Sequence, residues 1–381
     1  MTKGLLQGHL DARFEPLRYV LEDNLRSGTE CGLSLVVDID GQAVVDVHGG
    51  FADQARTRPW QPDTIVNAWS TTKTVTSLAV LMLADRGLVD LDAPVAKYWP
   101  EFAASGKEGV LVRHVMSHSS GVSGWNPPFA QTDLYDLDRA TSALAAQAPW
   151  WEPGTASGYH AYTFGQLLGE IVRRVTGQSL TEFVRAEIAG PVGADFQIGA
   201  RPADWHRCAE VIPPPPIGFD LSTLDPASVF TKTVTGPVTD PQAANTPPWR
   251  QAELGAVNGH GNARSVAQML SALALGGTTG SVRLLSPDTI AQIFREQVHG
   301  PDLVLRVPLR WGIGYALPDQ AGVSFIPPGR TCFWGGWGGS MIIMDTDRRL
   351  TISYLMNKMQ PGLIGSASAA AYCGAIYDLL S

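Results

Sequence analysis

Ser70 and Lys73 stand three residues apart, at the head of the apolar run Val75-Thr76-Ser77-Leu78-Ala79-Val80-Leu81-Met82-Leu83-Ala84. That run reads as a buried helix, and residues three apart share one helix face, so hydroxyl and amine can meet. A serine hydroxyl is a poor nucleophile until a base takes its proton. A buried lysine held neutral can be that base. The N-terminus of the helix adds oriented N–H groups where an oxyanion would form. Together these are the parts of an acyl-transfer site. The plainer alternative is an ordinary helix start, with Ser70 as N-cap and Lys73 in water, but the hydrophobic flanks argue against a solvated amine.

Two further segments carry chemistry. Glu152-Pro153-Gly154-Thr155-Ala156-Ser157-Gly158-Tyr159-His160-Ala161 is a turn-rich loop feeding a helix near Tyr162. A tyrosine leaving such a turn can reach across a cleft, and beside a lysine cation its phenol pKa would fall so that it could relay protons. Phe333-Trp334-Gly335-Gly336-Trp337-Gly338-Gly339-Ser340 precedes the strand Met341–Met344. Glycines this dense let a backbone approach a ligand and free an N–H to point toward Ser70. His114, His118 and His160 show no HExxH pattern. His114 and His118 fall on one face of an expected helix, and His118 is expected to pack under the turn Ser117-His118-Ser119-Ser120-Gly121. No Gly-x-Ser-x-Gly elbow occurs, which counts against an α/β-hydrolase.

The elements that must position these groups follow from periodicity. An amphipathic helix is expected over residues 9–26, and strands over 31–38 and 43–47 around the hairpin signal Asp40-Gly41. The helix carrying the motif spans Asn67–Arg86 and stops at Gly87. Helical pieces follow at 112–118, 137–147, 162–176 and 180–188. Ile212–Ile217 is a proline run that must be extended, inside a long loop from about Asp204 to Arg250. Helices at 265–275 and 287–296 precede strands at 306–315, 330–334, 340–345 and 350–355, with Thr346-Asp347 as a turn, and a helix over 367–380 closes the chain. Strands at both ends and helices between imply an α+β fold, an antiparallel sheet flanked by helices with a mostly helical insertion. The expected units are residues 1–100 with 251–381, and residues 101–250.

Composition bounds the partners. The chain has 381 residues, 44% hydrophobic and 17% charged, enough for a large core. A net charge of −8 with no basic run excludes a nucleic-acid surface. No run approaches the roughly 18 apolar residues of a membrane span. Cys31, Cys208, Cys332 and Cys373 lie far apart, with no metal-ligand spacing, and read as reduced buried thiols. With no leader-like apolar segment near Met1, a cytoplasmic location is the expectation. No metal or other cofactor is called for. Eleven tryptophans are many, and Trp125, Trp150, Trp151, Trp334 and Trp337 fall near the motifs, as the wall of an apolar pocket would.

Ser70-Thr71-Thr72-Lys73, Met116-Ser117-His118-Ser119-Ser120-Gly121-Val122, Pro153-Gly154 with Tyr159, and Trp334-Gly335-Gly336 occur in the order seen in the serine β-lactamase-like superfamily. Across nearly its whole length the chain resembles, within that superfamily, the family VIII carboxylesterases. These have a class C β-lactamase-like fold and include esterases with acyltransferase activity. The resemblance implies that Ser70 is the acylated nucleophile and that Lys73 deprotonates it and holds Tyr159 anionic or hydrogen-bonded. It implies an oxyanion hole of the Ser70 and Trp337 backbone N–H groups. Trp334-Gly335-Gly336 stands where β-lactamases carry Lys-Thr-Gly, and Tyr159-His160-Ala161 where they carry Tyr-x-Asn. Loss of the lysine and the asparagine disfavours β-lactam turnover and favours neutral esters. The implied reaction is cleavage of short-chain or aromatic esters, with water, an alcohol or an amine as acceptor. Trp125, Trp151, His160, Trp334, Gly335 and Gly336 are the expected substrate contacts. The rival readings are a β-lactamase or D-aminopeptidase and a catalytically silent binding protein.

Overall fold

The computed structural model describes residues 5–214, 223–362 and 364–381. Strands from both ends of the chain build one nine-stranded antiparallel sheet: β1 Leu6–Leu10, β2 Gly32–Ile39, β3 Gln42–Gly50, β4 Val298–Pro301, β5 Pro308–Trp311, β6 Ala316–Leu317, β7 Thr331–Gly335, β8 Met341–Asp345 and β9 Leu350–Met356. Their spatial order is β1-β3-β2-β9-β8-β7-β6-β5-β4. The N- and C-terminal parts therefore meet at the centre, where Leu350 to Met356 pair with Ile39 to Leu33. Asp40 and Gly41 both take positive φ, 54° and 82°, the geometry that lets a two-residue hairpin follow the strand twist. The chain is α+β.

The helices used below are α1 Glu15–Ser27, α2 Thr72–Asp85, α3 Thr163–Thr176, α4 Ala263–Ala274 and α5 Ala367–Leu380. Ser34 of β2 accepts from the N–H of Ala263 at the start of α4 (3.1 Å), so that face of the sheet meets α4. Tyr354, on the opposite face of β9, meets Tyr372 of α5 edge-on at 5.2 Å. Helix cover on both sides explains why β2 and β9 read as nearly continuous apolar runs rather than alternating ones. Every residue of α2 from Thr72 to Leu83 is buried, and α2 packs on α3.

Several expectations shift. The first helix starts at Glu15, not residue 9, because residues 6–10 form an edge strand along β3, Leu6 opposite Gly49. The span 204–250 is not one long loop. Ser228 Oγ accepts from Thr231 N to cap a helix over Val229–Thr235, and a second helix covers Pro247–Gln251. There proline occupies the first helical turn, where its missing N–H costs nothing. Pro215 to Ile217 of the proline run lie outside the described residues.

A small three-stranded sheet matters most for the site. Val66–Asn67 and Gln197–Ile198 both pair with Gly259–Gly261. It seats the segment immediately before Ser70 between two distant parts of the chain.

Candidate active site

Ser70 lies on a single 3₁₀ turn, Trp69–Thr71, two residues ahead of α2 and one ahead of its N-cap, Thr71. Trp69 holds φ = +49°, a region costly for a bulky side chain. The surroundings hold it there. Ala68 N donates to Gly259 O (2.7 Å), and Thr72 Oγ1 donates to Trp69 O (2.6 Å). The Trp69 ring is wedged edge-on between Trp249 (5.4 Å) and Trp337 (5.2 Å). Ser340 Oγ donates to Ala68 O (2.9 Å) and lies 3.0 Å from Thr71 Oγ1. A strained turn fixed on all sides presents Ser70 in one position.

Lys73 is 1% exposed. Its Nζ lies 3.0 Å from Ser70 Oγ, 2.8 Å from Ala161 O and 3.1 Å from Ala256 O. Burial holds the amine well below the usual lysine range. A neutral amine has two N–H bonds and one lone pair. The two carbonyls take both N–H bonds, so the lone pair faces the Ser70 hydroxyl.

Tyr159 leaves the Pro153-Gly154 turn on a loop pinned from several sides. Gly158 N donates to His118 O (2.9 Å), and His160 N donates to His118 Nδ1 (3.1 Å). Tyr159 N donates to Asp302 Oδ1 (3.1 Å), which also accepts from Val304 N (2.9 Å) and Leu305 N (2.8 Å). The Tyr159 hydroxyl accepts from Trp334 Nε1 (2.9 Å), and the ring centroid lies 4.8 Å from Lys73 Nζ. Burial pushes the phenol above its usual range; hydrogen bonds from Ser70 and Trp334 oppose this only in part, and the Asp302 charge adds to the rise. The expected fall in its pKa is therefore reversed. The reason is burial of the phenol itself, which disfavours the phenolate.

The glycine strand lies directly against the nucleophile turn. A Cβ on Gly336 would stand 2.4 Å from Ala68 O, 3.0 Å from Trp69 Cβ and 2.3 Å from Ser340 Oγ, so only glycine fits. A Cβ on Gly335 would stand 2.7 Å from Ser340 O. Among the described residues, the backbone N–H groups of Ser70 and Trp337 donate to no protein acceptor. Free backbone donors of this kind are able to receive an oxyanion.

The expected substrate contacts divide. Trp334 and the half-buried Trp337 and Trp151 are at or near the site. Trp151 donates Nε1–H to Ala156 O (2.9 Å) and meets the His160 ring at 6.1 Å. Trp125 is instead a core residue, 1% exposed, stacked on Phe129 at 4.4 Å with Nε1 donating to Ala140 O. His160 is fully enclosed between Gly158 O and Ser120 Oγ, both 2.6 Å away, and burial lowers its pKa to about 3. It braces the Tyr159 loop. His118 does not continue the helix Val112–Met116: its φ is +58°, and its ring packs on Tyr159, Phe164 and Trp311. Among the described residues no group of three His, Cys, Asp or Glu could hold a metal, and no helix is long and apolar enough to cross a membrane.

Sequence reasoning missed Asp302, Trp311 (4.6 Å from Trp334), Trp249, and the carbonyls of Ala161 and Ala256. The carbonyls leave no side-chain signature. Asp302 sits in the turn after β4 and Trp311 ends the four-residue strand β5, and neither stands in a motif that would mark it.

The chain also has relatives of known name. It is 35% identical over 362 residues to Esterase/beta-lactamase LipL of Mycobacterium tuberculosis (strain ATCC 25618 / H37Rv), covering 92% of this chain and 82% of that protein. It is 29% identical to Esterase EstB of Burkholderia gladioli over 92% of each. A solved family VIII carboxylesterase superposes with a TM-score of 0.91 at 39% identity, covering 98% of this chain and 99% of that one. The Beta-lactamase family model matches residues 20–371. With the strained Ser70 turn, the neutral lysine and the glycine strand in the same chain order, this protein belongs to the Beta-lactamase family.

Proposed function

We propose that the chain is a serine carboxylesterase that cleaves small, uncharged short-chain or aromatic esters through an acyl-Ser70 intermediate. The observation that carries this reading is the buried Lys73 Nζ, 3.0 Å from Ser70 Oγ and held by two carbonyls, its pKa lowered by burial so that the neutral amine can turn its lone pair to the hydroxyl. Lys73 takes the Ser70 proton as the oxygen attacks the ester carbonyl. The Ser70 and Trp337 N–H groups receive the negative oxygen. Tyr159, kept protonated by burial, donates to the departing alkoxide, and Lys73 restores its proton. Water then opens the acyl-enzyme by the reverse sequence. The named esterases at 29–39% identity support the same chemistry.

Trp334, where a β-lactamase lysine would stand, offers a neutral N–H that Tyr159 already uses. Nothing there attracts an anionic antibiotic, so β-lactam turnover falls well below ester turnover. The Trp151 and Trp337 rings provide apolar wall against which an alcohol or amine competes with water for the acyl group. The four buried free cysteines suit a reducing compartment, and we place the protein in the cytoplasm.

The test is a panel of acyl esters with fluorophosphonate labelling. Ser70→Ala abolishes both turnover and labelling, while Lys73→Met folds and loses about three orders of magnitude in kcat/KM. Full ester cleavage by Ser70→Ala would reject the assignment. Product analysis with vinyl acetate and benzyl alcohol in buffer tests acyl transfer; acetic acid as the sole product rejects that part.

A further inference from the structure

A cavity of about 420 Å³ lies outside the Ser70 constellation, with none of its lining residues in that site. Its floor is apolar, with Ala189, Ala194, Phe196, Ile198 and Pro202. Three guanidinium groups, Arg185, Arg201 and Arg250, reach its lining in a chain whose net charge is −8. Asp195 in the lining and Asp204 beside it are already paired with arginine, and Glu253 accepts from the N–H of the lining residue Thr181. Asp195 is held by Arg207, and Asp204 is held by Arg207 and Arg201. Arg250 differs: its Nε is buried with no hydrogen-bond partner among the described residues. Its guanidinium lies 6.0 Å from the Trp205 ring, which offers no acceptor oxygen. The Nε itself is shut off from the cavity, but among the described residues no carboxylate pairs with the Arg250 guanidinium, so its charge is left for an anion that enters.

The wall itself is unusual. Val184–Ala189 winds as a π-helix, a geometry frequent at functional sites, and it carries Arg185. Gln197–Ile198 also lines the cavity, followed by Gly199 at φ = +73°, where a Cβ would stand 2.9 Å from Arg250 O. That strand pairs with Gly259–Gly261, which pairs in turn with Val66–Asn67 just ahead of Ser70.

We propose that this cavity binds a small monocarboxylate with an apolar body, its carboxylate on Arg250 and Arg185 and its hydrocarbon on the Phe196–Ile198 floor. An arginine fork matches a carboxylate in two parallel hydrogen bonds. Asp195 at the rim disfavours a dianion. The apolar floor and the volume suit an organic body rather than a bare inorganic ion.

Isothermal titration of hexanoate and of 1-hexanol, at matched ionic strength, tests this. Hexanoate binds the wild-type protein saturably and binds Arg250→Gln about tenfold more weakly or worse, while 1-hexanol shows no saturable binding. Arg185→Glu, at an exposed position that tolerates change, gives the same weakening should Arg250→Gln fail to fold. Three results would overturn the proposal: no saturable hexanoate binding, binding undiminished in both variants (which would put it elsewhere, the Ser70 cleft included), or equal binding of 1-hexanol.

Discussion

The Trp334 indole Nε1–H donates to the Tyr159 hydroxyl across 2.9 Å, so a neutral donor stands where the resemblance puts a cation. Burial raises the phenol's pKa and lowers that of the Lys73 amine, so the phenol keeps its proton. A protonated phenol serves the leaving group, not the nucleophile. Tyr159→Phe should then depend on the alcohol released. Benzyl acetate, whose alkoxide needs a proton, loses about a thousandfold in kcat/KM; 4-nitrophenyl acetate, whose phenolate leaves unaided, loses about tenfold or less. Trp334→Phe follows the same order with smaller losses. Equal losses on both esters would make Tyr159 the base for Ser70.

The two perturbed groups also fix the pH profile. Lys73 must be neutral to act, and burial holds it so down to a pH well below the lysine range. Activity falls when acid finally protonates it. Tyr159 must keep its proton, and its raised pKa keeps it so above neutrality. The kcat/KM for 4-nitrophenyl acetate, corrected for spontaneous hydrolysis, should show one acidic limb and a plateau through about pH 9. An alkaline limb near pH 8 that vanishes in Tyr159→Phe would contradict this.

Gly336 tests how tightly the nucleophile turn is held. A methyl there would stand 2.4 Å from Ala68 O, so either the turn or the strand must move. Displacement near 1 Å costs on the order of a hundredfold in rate. Gly336→Ala should lose about that much in kcat while remaining folded by far-UV circular dichroism. Activity within threefold of wild type would mean the turn is not positioned by this contact.

What could be read from the sequence was what side chains announce. Ser70, Lys73 and Tyr159 carry motifs, and α2 is apolar on every side, so the constellation and the α+β class were legible together. The electrostatics were not. The Lys73 pKa is set by burial among segments distant in the chain, and the carbonyls its amine meets, Ala161 and Ala256, sit 88 and 183 residues away and have no sequence signature. Aromatic residues near the motifs could not be sorted by composition: Trp125 packs on Phe129, while Trp311, in a four-residue strand, lies beside Trp334. The proline-rich segment misled because proline both extends chains and starts helices, as at Pro247.

Glu30 gives a prediction far from the catalytic residues. It is enclosed beneath the sheet, and burial pushes its carboxyl up to about 7. Oε1 accepts from the Tyr354 hydroxyl and from Gln360 Nε2, while Oε2 has no partner among the described residues. Ser368 and the Lys358 charge pull the other way, but less than burial. The folded protein thus holds a proton that the unfolded chain releases near pH 4.5. Stability from this group is present in acid, declines as pH rises from about 4.5 to 7, and is gone above that; the swing is on the order of 3 kcal/mol. Glu30→Gln keeps the acceptor and cannot ionise. Its melting temperature should match or fall below wild type at pH 5 and exceed it by about 3 °C at pH 8.5. A difference that is the same at both pH values would show that Glu30 does not titrate between them.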